Sequence, residues 1–174
     1  MELMPKLRDV DHAQGPLSAE LLMMAYGSYQ CPQSGKAQKV VNKLRSSLGD
    51  HLCFVYRHFP TPDYPRSQRA AEAAEAAGRQ NKFWEMHNKL FENQNALDDA
   101  SLVEYAGELG LEISELIHDL IEGVHQERIQ SDIDSGLDYG VKETPTFFIG
   151  VRHQGSDNLE SLVKRLLLAA LAEE

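Results

Sequence analysis

Residues 30–35 read QCPQSG, and Cys31 within them has the side chain most suited to covalent chemistry. A thiol reacts as its thiolate, and a cysteine at a helix N-terminus is stabilised in that form by unpaired backbone N–H groups and the helix dipole. Pro32 suits the first turn of a helix, where a backbone N–H has no helical partner. The motif therefore predicts a partly exposed Cys31 thiol with a lowered pKa, and the alternative is a small buried hydrophobic residue.

This chemistry requires a helix that begins at Pro32. The following apolar residues recur at helical spacing until Gly49, at Ala37, Val40, Val41, Leu44 and Leu48. Residues 19–26 form a short apolar run that predicts a buried strand, and residues 51–59 are rich in aromatic and β-branched side chains, which predicts a second strand. A strand, a helix and a strand in this order predict a right-handed parallel βαβ unit.

The rest of the chain divides into a helical part and a second strand-containing part. Residues 1–18 lack periodicity and predict a surface lead-in. From Pro65 to about Gly140 the sequence is helical throughout, with Gly or Asn between the helices. Strand signals return after it, with Gly150 and the following valine predicting a hairpin turn, and an amphipathic helix completes the chain.

A second polar feature lies far along the chain, at Thr144 and Pro145. Proline at the start of a strand cannot donate to the ladder, so either its peptide bond is cis or the strand end is left free. A free backbone edge beside a reactive thiol would let an extended peptide or glutathione pair with Thr144.

Together these features resemble the DsbA-like branch of the thioredoxin superfamily. The likeness covers nearly the whole chain, and the stretches that carry it are YGSYQCPQSGKA, FVYRHFP, RAAEAAEAAGRQNKFWEMHNKLFENQ and VKETPTFFIG. The resemblance implies an α/β thioredoxin fold (βαβ…ββα) with a large all-helical insertion. Residues 1–62 and 140–174 would form the thioredoxin-like domain, and residues 63–139 the inserted helical domain. It also implies that Cys31 is the nucleophile and that Pro145 is a cis-proline packed against it.

The sequence departs from the family pattern at three positions. The family has a second cysteine at position 34, an acidic residue at position 28 and commonly a buried glutamate at position 25, where this chain has Ser34, Ser28 and Ala25. In a Cys-x-x-Cys helix start, the second thiol attacks the mixed disulfide and releases the substrate. Ser34 cannot do this, but its hydroxyl can donate a hydrogen bond to the Cys31 thiolate.

Five other residues are candidates for supporting roles. Cys53 lies in the middle of the second strand and is predicted to be a buried, inert thiol, too far away to replace the missing cysteine. Arg57 and His58 end that strand at the sheet edge where open α/β folds place their sites. We therefore expect His58 to contact the substrate or the thiolate, with a solvated strand end as the alternative. Gln33 and Thr144 are the other expected substrate contacts.

Composition excludes several classes of function. With 17 basic and 27 acidic side chains, the 174 residues carry a formal net charge of −10, which disfavours binding to nucleic acid or anionic membranes. The N-terminal residues lack the apolar run of a signal peptide, so the sequence predicts a cytoplasmic protein without membrane spans. The seven histidines show no metal-ligand spacing, and no metal or resident cofactor is expected.

Three functions fit these observations. The first is a monothiol thiol–disulfide oxidoreductase acting through Cys31 on protein or peptide disulfides or glutathione mixed disulfides, with glutathione as a co-substrate that resolves the adduct. The second is a catalytically degenerate module that binds peptides or thiols. The third resembles a kappa-class glutathione transferase, in which Ser34 would activate the bound thiol, although those enzymes place their serine at the position of Cys31.

Overall fold

A computed structural model of the chain describes residues 4–172, which form a mixed sheet surrounded by helices. The strands are His12–Gln14 (β1), Leu21–Gly27 (β2), Leu52–His58 (β3), Thr146–Phe148 (β4) and Arg152–Gln154 (β5). They form a five-stranded sheet in the order β1-β3-β2-β4-β5. β2 and β3 are parallel, whereas the other neighbouring pairs are antiparallel. The predicted parallel βαβ unit is therefore present at the centre of the sheet.

Helices connect and cover the strands. They are Pro32–Leu48 (α1), Ser67–Arg79 (α2), Phe83–Glu92 (α3), Asp99–Glu108 (α4), Ile113–Glu122 (α5), Gln126–Asp138 (α6) and Leu159–Ala172 (α7). Helices α2 to α6 lie in sequence between β3 and β4, as the all-helical insertion requires. The predicted α/β fold class is confirmed.

The helix that carries the candidate thiol begins and ends where the sequence predicts. Cys31 is the N-cap residue and has an extended conformation, and Pro32 occupies the first helical position. A backbone N–H at that position has no partner within the helix, so proline loses no hydrogen bond there. Gly49 ends the helix with φ of 54°, a left-handed value that glycine adopts without a steric penalty.

Side chains alternate between the two faces of the central strands, so each face has its own apolar core. One core contains Met23, Ala25, Phe54 and Tyr56, together with residues of α1, α2, α3 and α7. The other core contains Met24, Tyr26, Cys53, Val55 and Phe148. The helical insertion thus shares the first core with the sheet, which fixes α2 and α3 against the strands that lead to the site.

The lead-in over residues 1–18 is not only a surface loop, as the sequence predicted, because part of it is β1. His12–Gln14 pairs antiparallel with Phe54, Val55 and Tyr56 of β3. Asp11, just before β1, forms an ion pair with buried Arg57, with 2.7 Å between Asp11 Oδ2 and Arg57 Nη2. A buried guanidinium requires such a partner, which explains why this lead-in is held in the fold.

The predicted hairpin and C-terminal helix are both present. Gly150 lies between β4 and β5 with φ of 73°, and the Ile149 N–H donates to the Val151 carbonyl oxygen at 2.9 Å. Within residues 4–172, no helix has both the length and the apolar character needed to cross a membrane.

Candidate active site

The Cys31 sulfur lies at the junction of α1 and the loop before β4. The Ser34 backbone N–H donates to Sγ at 3.5 Å, and the thiol donates to the Thr144 carbonyl oxygen at 3.4 Å. Cys31 is only 2% exposed, so the predicted partial exposure is wrong. The sequence of the helix tip does not indicate this burial, because the covering loop comes from the far end of the chain.

The predicted direction of the thiol pKa agrees with the surroundings of the sulfur. Burial alone would raise the pKa of Cys31. Hydrogen bonds from the Thr144 side chain, from the Ser34 backbone and hydroxyl and from the Gln33 backbone favour the thiolate and leave the pKa below its ordinary value. Ser34 therefore has the contact with the sulfur that the sequence predicts, whereas the Gln33 side chain is exposed to solvent.

The loop before Cys31 is fixed by side chains that sequence reasoning did not identify. Ser67, at the start of α2, lies 2.5 Å from the Ser28 hydroxyl and accepts the Gln30 N–H at 3.0 Å. Gln94, just after α3, donates from Nε2 to the carbonyl oxygens of Tyr29 and Cys31, at 2.8 Å each. The helical insertion thus positions the loop that carries Cys31. Neither residue has a local sequence signal for this role.

Thr144 lies directly against the thiol, and Pro145 follows it in the chain. The peptide bond between them is cis, the isomer that the family resemblance implies. Pro145 is buried, and its carbonyl oxygen accepts the Gly155 N–H at 3.0 Å. Thr144 is half-buried, which leaves part of it accessible beside the site.

The end of β3 does not face solvent. Arg57 is 0% exposed, and besides Asp11 it donates to the Tyr26 hydroxyl at 2.9 Å. His58 is 1% exposed, and its Nε2 lies 2.7 Å from Glu75 Oε1. The alternative of a solvated strand end is therefore wrong, because α2 and α6 cover this edge of the sheet, and the expected contact of His58 with a substrate stays a prediction.

The family's buried acid has no replacement at position 25, where Ala25 is 3% exposed and pairs in register with Tyr56. Tyr56 is 2% exposed. Burial, and after it the charges of Asp132 and Cys31, hold the pKa of its hydroxyl well above the ordinary value. A buried phenol near the sulfur thus lies beside the place where the family has a carboxylate.

Cys53 is remote from Cys31, as predicted. It pairs in register with Leu22, five residues before the end of β2, which corresponds to roughly 16 Å along the strand. Its side chain also belongs to the core on the opposite face from Ala25 and Tyr56. Both thiols are free, and burial raises the pKa of Cys53.

The surface beside the helix tip is concave and polar. Two open cavities of about 670 and 620 Å³ share Gln30, Gln94 and Asn95, and the smaller cavity reaches Pro32. The larger is also lined by Tyr64, whose hydroxyl pKa is raised first by the charge of Cys31 and then by burial. This groove therefore lies beside the N-terminus of α1, next to the residue that follows Cys31.

Within the described part of the chain, no group of three or more His, Cys, Asp or Glu side chains is arranged to hold a metal ion.

Comparison with known sequences identifies longer relatives. The thioredoxin family model matches residues 8–166 of this chain. The Na⁺/H⁺ antiporter NhaA 1 of Salinispora arenicola (strain CNS-205) is 40% identical over 162 residues, which cover 92% of this chain and 25% of that protein. The antiporter NhaA of Herminiimonas arsenicoxydans is 38% identical over 149 residues, covering 85% of this chain and 24% of that protein. The chain spans about a quarter of the length of these relatives.

Solved structures resemble the fold over nearly its full length. Alpha-DsbA1 of Wolbachia pipientis has a TM-score of 0.85 at 21% identity, and the match covers 99% of this chain and 98% of that protein's chain. A thioredoxin-like oxidoreductase from Silicibacter pomeroyi DSS-3 has a TM-score of 0.83 at 22% identity, and the match covers 95% of this chain and 94% of that chain. Oxidised BdbD from Bacillus subtilis has a TM-score of 0.77 at 20% identity, with 92% of each chain covered. The chain belongs to the thioredoxin family, and its fold is that of the DsbA-type members.

Proposed function

We propose that this protein is a monothiol thiol–disulfide oxidoreductase in which Cys31 attacks a disulfide and an external thiol, such as glutathione, resolves the adduct. The observation that carries the proposal is the Cys31 sulfur at the N-cap of α1, where the Ser34 N–H donates to it and its pKa is lowered. Ser34 supplies no second sulfur, so substrate release requires a thiol from outside the chain.

The reaction balances with glutathione as the only co-substrate. With a glutathionylated protein, the Cys31 thiolate bonds to the glutathione sulfur as the S–S bond breaks, and the protein sulfur leaves with the electron pair and takes up a proton. A second glutathione, as thiolate, then attacks the glutathione sulfur held on Cys31. Glutathione disulfide forms, and Cys31 leaves as a thiolate. The net reaction exchanges one disulfide for another: the protein sulfur ends as a thiol, and the sulfur of the second glutathione takes its place in glutathione disulfide.

The groove beside Pro32 supports a peptide-like substrate. Its lining includes the amide side chains of Gln30, Gln94 and Asn95, and the exposed Asn95 amide can donate to and accept from an extended backbone. Half-buried Thr144 lies next to the sulfur, with its carbonyl oxygen 3.4 Å from Sγ. The same proposal assigns the protein to the cytoplasm, where a reducing glutathione pool supplies the resolving thiol.

The test is glutathione release from a glutathionylated peptide in the presence of reduced glutathione. Cys31→Ser should abolish release above the uncatalysed rate, because it removes the nucleophile. Cys53→Ser is the matched control and should retain the wild-type rate, since Cys53 lies on the other face of the sheet. Equal loss in both variants would contradict a monothiol mechanism and indicate a cysteine pair.

A binding module without turnover is the second candidate, and one observation favours it. Cys31 is 2% exposed, so the resting structure offers a substrate disulfide little access to the sulfur. This candidate predicts peptide binding in the groove, no glutathione release by the wild-type protein, and alkylation of Cys31 only on unfolding. A transferase role for Ser34 has less support, because Ser34 is 3% exposed and its hydroxyl accepts the Ser28 N–H at 3.3 Å.

A further inference from the structure

Helix α5 has a row of aliphatic side chains that are exposed to solvent. Ile113, Ile117 and Ile121 follow one another at intervals of four residues and therefore lie along one side of the helix. They are 38%, 38% and 71% exposed, and Val124, directly after the Gly123 cap, is 46% exposed. Single apolar residues are common on protein surfaces, but a row of them on one helix is typical of a surface that another molecule covers.

A groove lies beside this row, between α4 and α5. The cavity has a volume of about 450 Å³, and its aliphatic lining residues are Ala100, Val103, Ile117, Leu120 and Ile121. The backbone on both sides is helical and already hydrogen-bonded, so a partner cannot join it as an added strand. The α4–α5 groove can instead receive aliphatic side chains from another chain.

The guanidinium that lines the α4–α5 groove is already neutralised. Arg69 of α2 donates from Nε and Nη2 to the two carboxylate oxygens of Asp99, at 2.9 and 3.1 Å. Its Nη1 donates to Glu72 at 3.1 Å and to the carbonyl oxygen of Leu120. One positive charge thus faces two carboxylates, so the polar part of the groove is acidic and its donors are occupied.

The surroundings of the groove are also acidic. Residues 98–122, which contain α4 and α5, include eight Asp or Glu residues and no Lys or Arg. Basic side chains from other parts of the molecule pair with four of the eight. The other four are exposed and have no ion-pair partner within residues 4–172, namely Glu104, Glu112, Glu115 and Glu122. Glu104 lies one turn after Ala100 on α4, and Glu122 directly follows Ile121, so each wall of the groove has an unpaired carboxylate close to it.

We propose that the α4–α5 groove binds an amphipathic helix of another protein, with aliphatic side chains on the face that enters the groove and Lys or Arg along its sides. The aliphatic side chains cover Ile117 and Ile121, and the basic side chains pair with Glu104 and Glu122. A second copy of this chain fits less well, since a symmetric contact brings the same unpaired carboxylates together. Anionic membranes are repelled by the same charges. This inference goes beyond the proposed function of Cys31 and does not depend on it.

The α4–α5 groove is next to the polar cavity beside the N-terminus of α1. Arg66 and Asp98 line that cavity and form an ion pair, with 3.8 Å between Arg66 Nη1 and Asp98 Oδ1. The next residue of the chain, Asp99, lines the α4–α5 groove together with Arg69. A helix bound in the groove therefore lies close to the polar cavity, which Gln30 also lines, directly before the N-cap of α1.

The test is a titration of the protein with the fluorescein-labelled peptide LKKLLKLLKKLLKL, followed by fluorescence anisotropy. This synthetic peptide places its leucines on one side of a helix and its lysines on the other. One peptide should bind per protein, about tenfold more tightly than either of two control peptides. One control has the same amino acids in an order that spreads leucine around the helix, and the other replaces every lysine with glutamate. Equally tight binding of either control would overturn the proposal.

Ile121→Ser tests the apolar wall of the groove. Ile121 is 71% exposed, so the variant should fold like the parent and bind the peptide about tenfold more weakly. Adding Ile117→Ser should weaken binding further. Leu168→Ser is the matched control, because Leu168 is 70% exposed and lies on α7, which packs against α1 and β2. Equal weakening by Leu168→Ser would contradict binding in the α4–α5 groove.

Glu104→Gln combined with Glu122→Gln tests the acidic side chains. This double variant should bind the peptide more weakly, and its affinity should depend less on salt concentration. Asp50→Asn combined with Asp157→Asn removes the same charge at exposed positions elsewhere and should bind as the parent does. The same loss of affinity in both double variants would show that the peptide responds to the net charge of the protein, which would refute the groove.

Sedimentation of the protein alone, and with phosphatidylcholine vesicles, distinguishes the other occupants. The proposal predicts that Ile121→Ser changes neither the sedimentation of the protein nor its binding to vesicles. A dimer that dissociates in Ile121→Ser would make the groove an interface between two copies of the chain. Vesicle binding that is lost in Ile121→Ser would make it a membrane-binding surface, and either result would overturn the proposal.

Discussion

The sulfur of Cys31 lies 3.4 Å from the carbonyl oxygen of Thr144, although 113 residues separate them in the chain. The N-terminus of α1 and the loop before β4 therefore form one site, and each depends on the other. The helix tip supplies N–H groups that favour the thiolate, whereas the Thr144 loop covers the sulfur and contributes a further hydrogen bond. A disulfide that reacts with Cys31, as we propose, has to approach where these two segments meet.

Thr144→Val should weaken the acidity of the thiol. The substitution keeps the β-branched shape but removes the hydroxyl that favours the thiolate, so the pKa of Cys31 should rise by about one unit. Ultraviolet absorbance of the thiolate against pH, in a Cys53→Ser background, measures the change. Thr146→Val is the control. The Thr146 hydroxyl donates to the Glu143 carbonyl oxygen at 2.7 Å, so this change should lower stability and leave the titration unchanged.

If Thr144→Val and Thr146→Val shift the titration equally, the effect comes from general loosening of the loop and not from the hydrogen bond to Cys31.

Ser34→Cys should convert the site into a dithiol. Position 34 lies one helical turn after Cys31, and its backbone N–H already lies 3.5 Å from Sγ. Oxidised glutathione should therefore produce an intramolecular disulfide, seen as the loss of two free thiols in a Cys53→Ser background. Ser46→Cys, on the exposed side of the same helix, should instead form mixed disulfides with glutathione. Persistent mixed disulfides in Ser34→Cys would show that the helix tip cannot close the bond.

The buried His87 should make the fold sensitive to mild acid. Burial, and after it the charges of His58 and His12, lower the pKa of this imidazole well below its ordinary value. Below about pH 6.5 the unfolded chain binds a proton that folded His87 does not. The free energy of unfolding should therefore fall with decreasing pH, and His87 contributes a slope of up to about 1.4 kcal/mol per pH unit.

Urea unfolding at several pH values between 5 and 7.5 checks this slope. His87→Phe should reduce it, although the variant also loses the hydrogen bond to Tyr29 and should be less stable at pH 7.5. His118→Gln changes an exposed histidine and should leave the slope as in the wild-type protein. Parallel curves for His87→Phe and the wild-type protein would exclude His87 as the source of the acid sensitivity.

The order of the main elements and the place of Cys31 at the start of α1 could be predicted because their signals are local. Pro32 and Gly49 mark the ends of α1, and the apolar runs before and after it mark β2 and β3. β1 could not be predicted in this way. His12–Gln14 has only three residues, and its strand conformation depends on pairing with Phe54 to Tyr56 of β3.

The burial of Cys31, His58 and Glu75 depends on contacts between distant segments. Charged and polar residues at a strand end or in a helix are usually solvated. The local sequence alone therefore predicts that they are exposed to solvent. Glu75 lies in the alanine-rich α2, where Ala73, Ala74, Ala76 and Ala77 are each at most 1% exposed. Alanine on every side of a helix permits close packing all round, and this was the available signal that a carboxylate within it could be buried.

The alkylation rate of Cys31 as a function of pH, measured in a Cys53→Ser background, tests the central claim most directly. The lowered pKa at the N-cap of α1 predicts a midpoint below the reference thiol value of about 8.5, in a protein that remains folded throughout the measurement. A midpoint at or above that value, or no reaction until the protein unfolds, would contradict an activated nucleophile at Cys31. The protein would then be a binding module built on the thioredoxin fold.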